Sequence, residues 1–172
     1  MLSGLQAGTI AIFLKKTYAN VPGISDSQLN FAVSVLAAAK CFGFLASFLW
    51  ASLSRGRPKV GFMVVLQLLT AATVSMIAMA PLSASGMWMV TGLCIASWTI
   101  WSGVMTLRTG VWRANYPDLY RPRIAGRISS VDGLFGAMGG FLIGLCLDQN
   151  PETFRALFLS MGGLGFIGAV LY

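Results

Sequence analysis

The chain has 172 residues, of which 56% are apolar and 10% charged, and its mean hydropathy of +0.76 is typical of a membrane protein and excludes an ordinary soluble domain. The net charge is +7, but the basic residues stand in short clusters between apolar runs, which indicates membrane topology and not nucleic-acid binding. Histidine is absent, and Cys41, Cys94 and Cys146 lie inside apolar runs, so we expect no enzyme activity, no metal centre and no cofactor.

The hydropathy pattern predicts an all-α fold, a single domain of six transmembrane helices. Six spans of about 20 residues use roughly 120 positions and leave enough chain for the connections. The predicted spans are about 1–19, 29–53, 60–80, 87–107, 124–147 and 152–172. Lys15 and Lys16 follow the first apolar run instead of preceding it, unlike a signal peptide. Ser25 and Gln28 have the spacing of a capping box, which predicts a helix start just before the second span.

The basic residues divide unequally between the two sides of this arrangement. One side would carry eight of them, namely Arg55, Arg57, Lys59, Arg108, Arg113, Arg121, Arg123 and Arg127. The other side would carry three, Lys15, Lys16 and Arg155. Because cytoplasmic loops are enriched in lysine and arginine, both termini are predicted to be cytoplasmic. The expected location is a bacterial inner membrane, with lipid as a partner.

Small residues recur at intervals of four in two spans. Gly43 and Ser47 belong to such a series in the second span, and Gly136, Gly140 and Gly144 form one in the fifth. Small residues allow helix backbones to approach closely within lipid. These positions therefore serve either packing inside the bundle or docking of a second membrane unit, and the sequence leaves both open.

Two charged residues fall within predicted spans. Lys40 shares a helical face with Gly43 and Ser47, and Asp132 shares one with the glycines of the fifth span. A charge at such depth requires protein, water or a counter-ion nearby. Lys40 could reach Asp132 to form a structural ion pair, or Asp132 could cap the fifth span near the interface. Alternatively, the two residues could belong to a substrate, proton or lipid site.

Aromatic and amide side chains add to this candidate path. Trp98 and Trp101 lie on one face of the fourth span, near mid-membrane, although tryptophan is usually found at the interface. Their indole N–H groups need acceptors, from neighbouring helices or from a polar cavity. Gln6 in the first span is a weaker candidate for the same cavity.

The arrangement resembles the N-terminal half of a major facilitator superfamily transporter. The resemblance rests on six spans with cytoplasmic ends, on the turn 55–59 and on the segment 116–127, which begins Tyr-Pro and continues with basic residues. In the turn, Gly56 and Arg57 match a glycine and a basic residue of the family's loop motif. Arg55 precedes them and Lys59 is a displaced equivalent of the next basic position. The motif's aspartate falls on Leu53, which departs from the family pattern.

The resemblance implies transport of a small solute along a path lined by Gln6, Lys40, Trp98, Trp101 and Asp132. Members of this family hold the substrate between two six-helix halves, so this chain would have to pair with a second six-helix unit. A different hypothesis is a non-transporting accessory subunit, packed against a larger membrane complex through its glycine-rich faces. The short first span and the single half favour that alternative.

Overall fold

The computed structural model describes residues 7–149 and 153–171, and these residues confirm the predicted all-α fold. The helices in this part of the chain are α1 (Ala7–Tyr18), α2 (Asp26–Ala37), α3 (Ala39–Leu53), α4 (Lys59–Ile77), α5 (Ala84–Asn115), α6 (Arg121–Gln149) and α7 (Phe154–Val170). Gln6 lies outside the described residues.

Four helical stretches are long and apolar enough to cross a membrane: Asp26–Leu53, Lys59–Ile77, Ala84–Asn115 and Arg121–Leu147. They are consistent with an integral membrane protein. The first of them joins α2 and α3, which a break at Ala38 separates. Six spans are predicted, but in the described part of the chain α1 and α7 are too short to count as candidate spans, since α1 has 12 residues and α7 has 17. At 1.5 Å per residue these two helices extend about 18 and 25 Å, short of a hydrocarbon core of about 30 Å.

Local sequence explains where several helices begin and end. The capping box at the start of α2 is confirmed, because the Gln28 N–H donates to Ser25 Oγ and the Ser25 N–H donates to Gln28 Oε1. In contrast, α5 continues to Asn115, eight residues beyond the predicted end of its span at 107. Nothing stops it before Pro117, which holds the preceding Tyr116 in extended backbone. Helix α5 therefore extends about two turns beyond the predicted end of that span.

The packing order places α5 at the centre of the bundle. It packs against α4, α3 and α2, while α4 also packs against α7. On the other side α6 packs against α1 and α7, and α1 packs against α2. Small residues permit two of these approaches, at Gly43 between α3 and α5 and at Gly162 between α7 and α4.

The buried core is unevenly distributed along the bundle. The larger cluster joins α1, α2, the end of α4, the start of α5, the end of α6 and the start of α7. A smaller cluster, centred on Met63, Leu66, Val104 and Leu107, joins α4 and α5 nearer the opposite end. In α6 no residue before Gly136 is buried. The first half of α6 thus lies apart from the packed core.

Candidate functional site

A cavity of about 450 Å³ lies in the groove between α3 and α5. Its walls include Lys40 and Ser47 from α3 and Trp98, Trp101 and Ser102 from α5. The remaining lining residues are Gly43, Phe44, Met105, Thr106 and Thr109. Its volume is in the range of small-molecule sites in proteins. Five residues that the sequence analysis singled out are therefore neighbours in space, namely Lys40, Gly43, Ser47, Trp98 and Trp101.

Helical periodicity explains why α5 contributes these side chains. Residues spaced alternately three and four apart lie along one helical face. In the first half of α5 this face carries Met87, Val90 and Cys94, which are buried in the larger core cluster. In the second half it carries Trp98, Trp101 and Met105, which line the cavity. The cavity thus lies on the continuation of this face of α5, beyond the larger core cluster.

The same continuity holds for the helices opposite. Leu29 and Leu36 of α2 are buried in the larger cluster. Lys40, four residues beyond Leu36, and Ser47, seven further, line the cavity. The interruption at Ala38 stands between the buried pair and the polar pair. The buried apolar face of α2 is therefore followed, within one turn of the break, by a face of α3 whose polar residues line the cavity.

Hydrogen-bond donors dominate the polar chemistry of the cavity. The Lys40 ammonium nitrogen lies 5.4 Å from the centroid of the Trp98 ring, within range of a cation–π interaction. Among the described residues Lys40 has no carboxylate within ion-pair distance. The indole N–H groups of Trp98 and Trp101 have no acceptor in this part of the chain either. None of the described residues that line the cavity is acidic, so these residues present a cation and unpaired donors without a protein anion.

The serine hydroxyl groups that line the cavity donate hydrogen bonds to backbone carbonyls of their own helices. Ser47 Oγ donates to the Phe44 carbonyl at 2.6 Å, and Ser102 Oγ donates to the Thr99 carbonyl at 2.7 Å. Such back-bonding satisfies the hydroxyl proton within the helix. Gly43 is needed for the close approach of the two walls, since a Cβ there would lie 3.3 Å from the Trp98 carbonyl oxygen.

Other predicted site residues lie elsewhere. Asp132 is exposed on the first half of α6, and its ion pair with Lys40 is not formed. The physical reason is packing, because α6 lies against α1 and α7, whereas Lys40 lies between α3 and α5. In the glycine series of α6, Gly136 is buried while Gly140 and Gly144 are partly exposed.

The loop-motif residues form the tight turn between α3 and α4. Gly56 has a φ of +73°, a left-handed conformation that glycine adopts without strain. The Arg57 guanidinium lies 5.5 Å from the Phe62 ring centroid, and Arg55 is exposed. Lys59 begins α4, and its ammonium nitrogen lies close to Gly110 of α5. These basic side chains therefore stand at the same end of the bundle as the end of α5.

Sequence reasoning missed the part of the site that fixes α3 against α5. The Trp50 indole donates to the Thr99 carbonyl at 2.9 Å, one turn away from the cavity wall. Its ring lies against Gly103, where a Cβ would meet it at 2.9 Å. Thr106 and Thr109 were also missed as lining residues, although their spacing from Trp98 and Ser102 continues the same face. That periodicity was the available signal.

Comparison of the chain with family models, with curated proteins and with solved structures finds no match. Its function must therefore be argued from the residues and geometry described above.

Proposed function

We propose that this chain is a membrane protein that binds a small organic anion in the cavity between α3 and α5 and takes part in its transport. The observation that carries the proposal is the cluster of Lys40, Trp98 and Trp101 in one cavity without an acidic partner. Lys40 is exposed in this groove. At its predicted depth in a membrane its charge would be stabilised by an opposite charge, and an anionic solute would supply it. The indole rings and Phe44 offer flat apolar surfaces for the body of such a solute.

The proposed architecture is that of one half of a major facilitator superfamily transporter. In this proposal α1 and α7 complete six membrane crossings, with shortened helices and lysines that reach the interface. Both termini and the arginine-rich connections face the cytoplasm of a bacterial inner membrane. The cavity is open along one side, so a second six-helix unit, identical or different, would enclose the pathway.

Binding of an aromatic anion provides the first test of the cavity. We expect benzoate to bind the purified chain and its uncharged analogue benzamide to bind at least about tenfold more weakly, because only benzoate gives Lys40 a counter-charge. Lys40→Gln should remove this preference, while Lys15→Gln, at an exposed position on α1, should retain it. Isothermal titration calorimetry in detergent measures the affinities of both ligands for the unaltered chain and for the two variants. Equal binding of benzoate by the Lys40→Gln variant and the unaltered chain would contradict the proposed site.

Uptake separates transport from binding alone. We expect liposomes containing the chain to accumulate radiolabelled benzoate faster than empty liposomes, and Lys40→Gln to reduce uptake to the empty level. Native mass measurement of the same preparation reports whether the active species is a homodimer. If benzoate binds but no assembly of the chain takes it up, the proposal of transport is contradicted and only that of solute binding stands.

A second candidate, the accessory subunit, is favoured by the exposure of α6. This helix has the smallest buried share of the four candidate spans, and Leu134, Phe135 and Phe141 are exposed along it. A Cβ placed on Gly144 would meet no atom within 4 Å. Part of the glycine series is therefore open to a neighbour outside the bundle.

A pair of leucine substitutions tests this second candidate. Gly144→Leu should leave the chain folded but abolish co-purification with a partner subunit, because the new side chain projects from the bundle. Gly136→Leu should instead destabilise the fold, because that residue is buried. Thermal unfolding and co-purification are measured on both variants. Unchanged assembly of the Gly144→Leu variant would argue against docking through this face.

A further inference from the structure

A second cavity, of about 340 Å³, lies at the connection between α5 and α6. It is lined by Tyr116, Pro117, Tyr120, Arg123, Ile124 and Arg127. Both flanking helices belong to the stretches long enough to cross a membrane, so their connection is expected at the level of the lipid headgroups. Tyrosine is enriched at that level, where one end of the side chain is apolar and the other is hydrated.

The turn that builds this cavity is fixed by Arg121. Its Nε donates to the Tyr116 carbonyl and a terminal nitrogen donates to the Arg113 carbonyl, both at 2.8 Å. It also pairs with Asp118, three residues earlier in the chain. The carboxylate of this connection is therefore engaged by Arg121, which does not line the cavity.

Arg123 and Arg127 are in a different position. They are four residues apart on α6, so they lie on one helical face. In the described part of the chain neither guanidinium has a carboxylate partner, and the Tyr116 and Tyr120 hydroxyls have no hydrogen-bond partner. Two cationic side chains and two hydroxyl groups thus line this cavity, and none of its described lining residues is acidic.

We propose that this cavity binds the phosphate of an anionic phospholipid. Guanidinium groups pair with phosphate through two parallel hydrogen bonds, and two of them one helical turn apart suit a group with several acceptor oxygens. A lipid is favoured because the cavity lies at the ends of apolar helices and Ile124 offers an apolar contact. The nearby basic residues of the turn 55–59 add to the attraction for an anionic surface.

The test is native mass spectrometry of the full chain in detergent with phosphatidylglycerol or phosphatidylcholine. We expect the chain to bind phosphatidylglycerol at least about tenfold more tightly, and Arg123→Gln/Arg127→Gln to lose that preference. The control is Arg55→Gln/Arg57→Gln, which removes the same charge from the same end of the bundle and should retain most of the preference, because these residues contribute only general attraction. If both double variants lose the preference for phosphatidylglycerol equally, that preference depends only on net charge and the proposal is overturned.

Two further measurements address free phosphate as an alternative ligand and a double variant that does not fold. Inorganic phosphate at the same molar concentration should not displace phosphatidylglycerol, whereas displacement would make free phosphate the ligand and overturn the lipid assignment. If the double glutamine variant fails to fold in a thermal melt, Arg123→Lys/Arg127→Lys carries the test, because lysine retains charge but cannot form the two-pronged contact. Full phosphatidylglycerol preference in that variant would contradict recognition by guanidinium groups.

Discussion

Phe13→Ala is expected to lower the free energy of unfolding by about 3 kcal/mol, at the low end for a buried phenylalanine because apolar transfer adds little within lipid. Phe13 is 1% exposed and lies 5.5 and 5.1 Å, centroid to centroid, from the rings of Phe154 and Phe158. These contacts join α1 to α7, the two helices too short to qualify as spans. Their loss would leave a void in the larger core cluster.

The control for Phe13→Ala is the neighbouring Ile12→Ala, since Ile12 is 51% exposed. It should change the unfolding free energy by less than about 0.5 kcal/mol, as surface substitutions usually do. Reversible unfolding in mixed detergent, followed by circular dichroism, measures both variants. Similar losses from the two would show that α1 is not held by this aromatic contact.

Gly162→Leu is expected to destabilise the chain by about 3 kcal/mol or to prevent folding, because it overfills the contact between α7 and α4. A Cβ on Gly162 would overlap the Ser75 side chain and lie 3.3 Å from the Ala71 carbonyl oxygen. Rotation of Ser75 would not relieve the clash with the backbone of α4. A leucine there would have to push the two helices apart.

The adjacent glycine offers a matched comparison. Gly163 is exposed, and a Cβ there would meet no atom within 4 Å, so Gly163→Leu should fold with nearly unchanged stability. Both variants are measured by thermal unfolding and by size-exclusion chromatography. A stable Gly162→Leu chain would mean that α4 and α7 do not approach as closely as described.

Periodicity and local capping predicted much of the fold. The start of α2 could be located from Ser25 and Gln28 because a capping box depends on residues three apart. Helix α5 extends to Asn115, past the predicted end of its span at 107, because hydropathy marks where an apolar stretch ends and not where the helix ends. Basic residues are good helix formers, and only Pro117 imposes a change of backbone.

Part of the candidate cavity could also be predicted from the sequence. Lys40, Trp98 and Trp101 stood out because a lysine and paired indoles at mid-span require an explanation. Their convergence depends on which helices are neighbours, and that information is not local. Asp132 illustrates the limit: it also fell within a predicted span, but α6 packs against α1 and α7 and not against α3. Gly162 escaped notice because a glycine's role depends on the residue opposite, here Ser75.

The uneven core has a consequence for how the molecule opens. Local unfolding requires least free energy where few apolar contacts are broken. The ends of α1, α2 and α7 are held in the large cluster, whereas the first half of α6 buries no side chain before Gly136. Resistance to opening should therefore be greater at the end of the bundle with the larger cluster than at the end with the smaller one. Trp101 lines the cavity with Lys40 and contacts both clusters, so an occupant there would add contacts between the more stable and the less stable end.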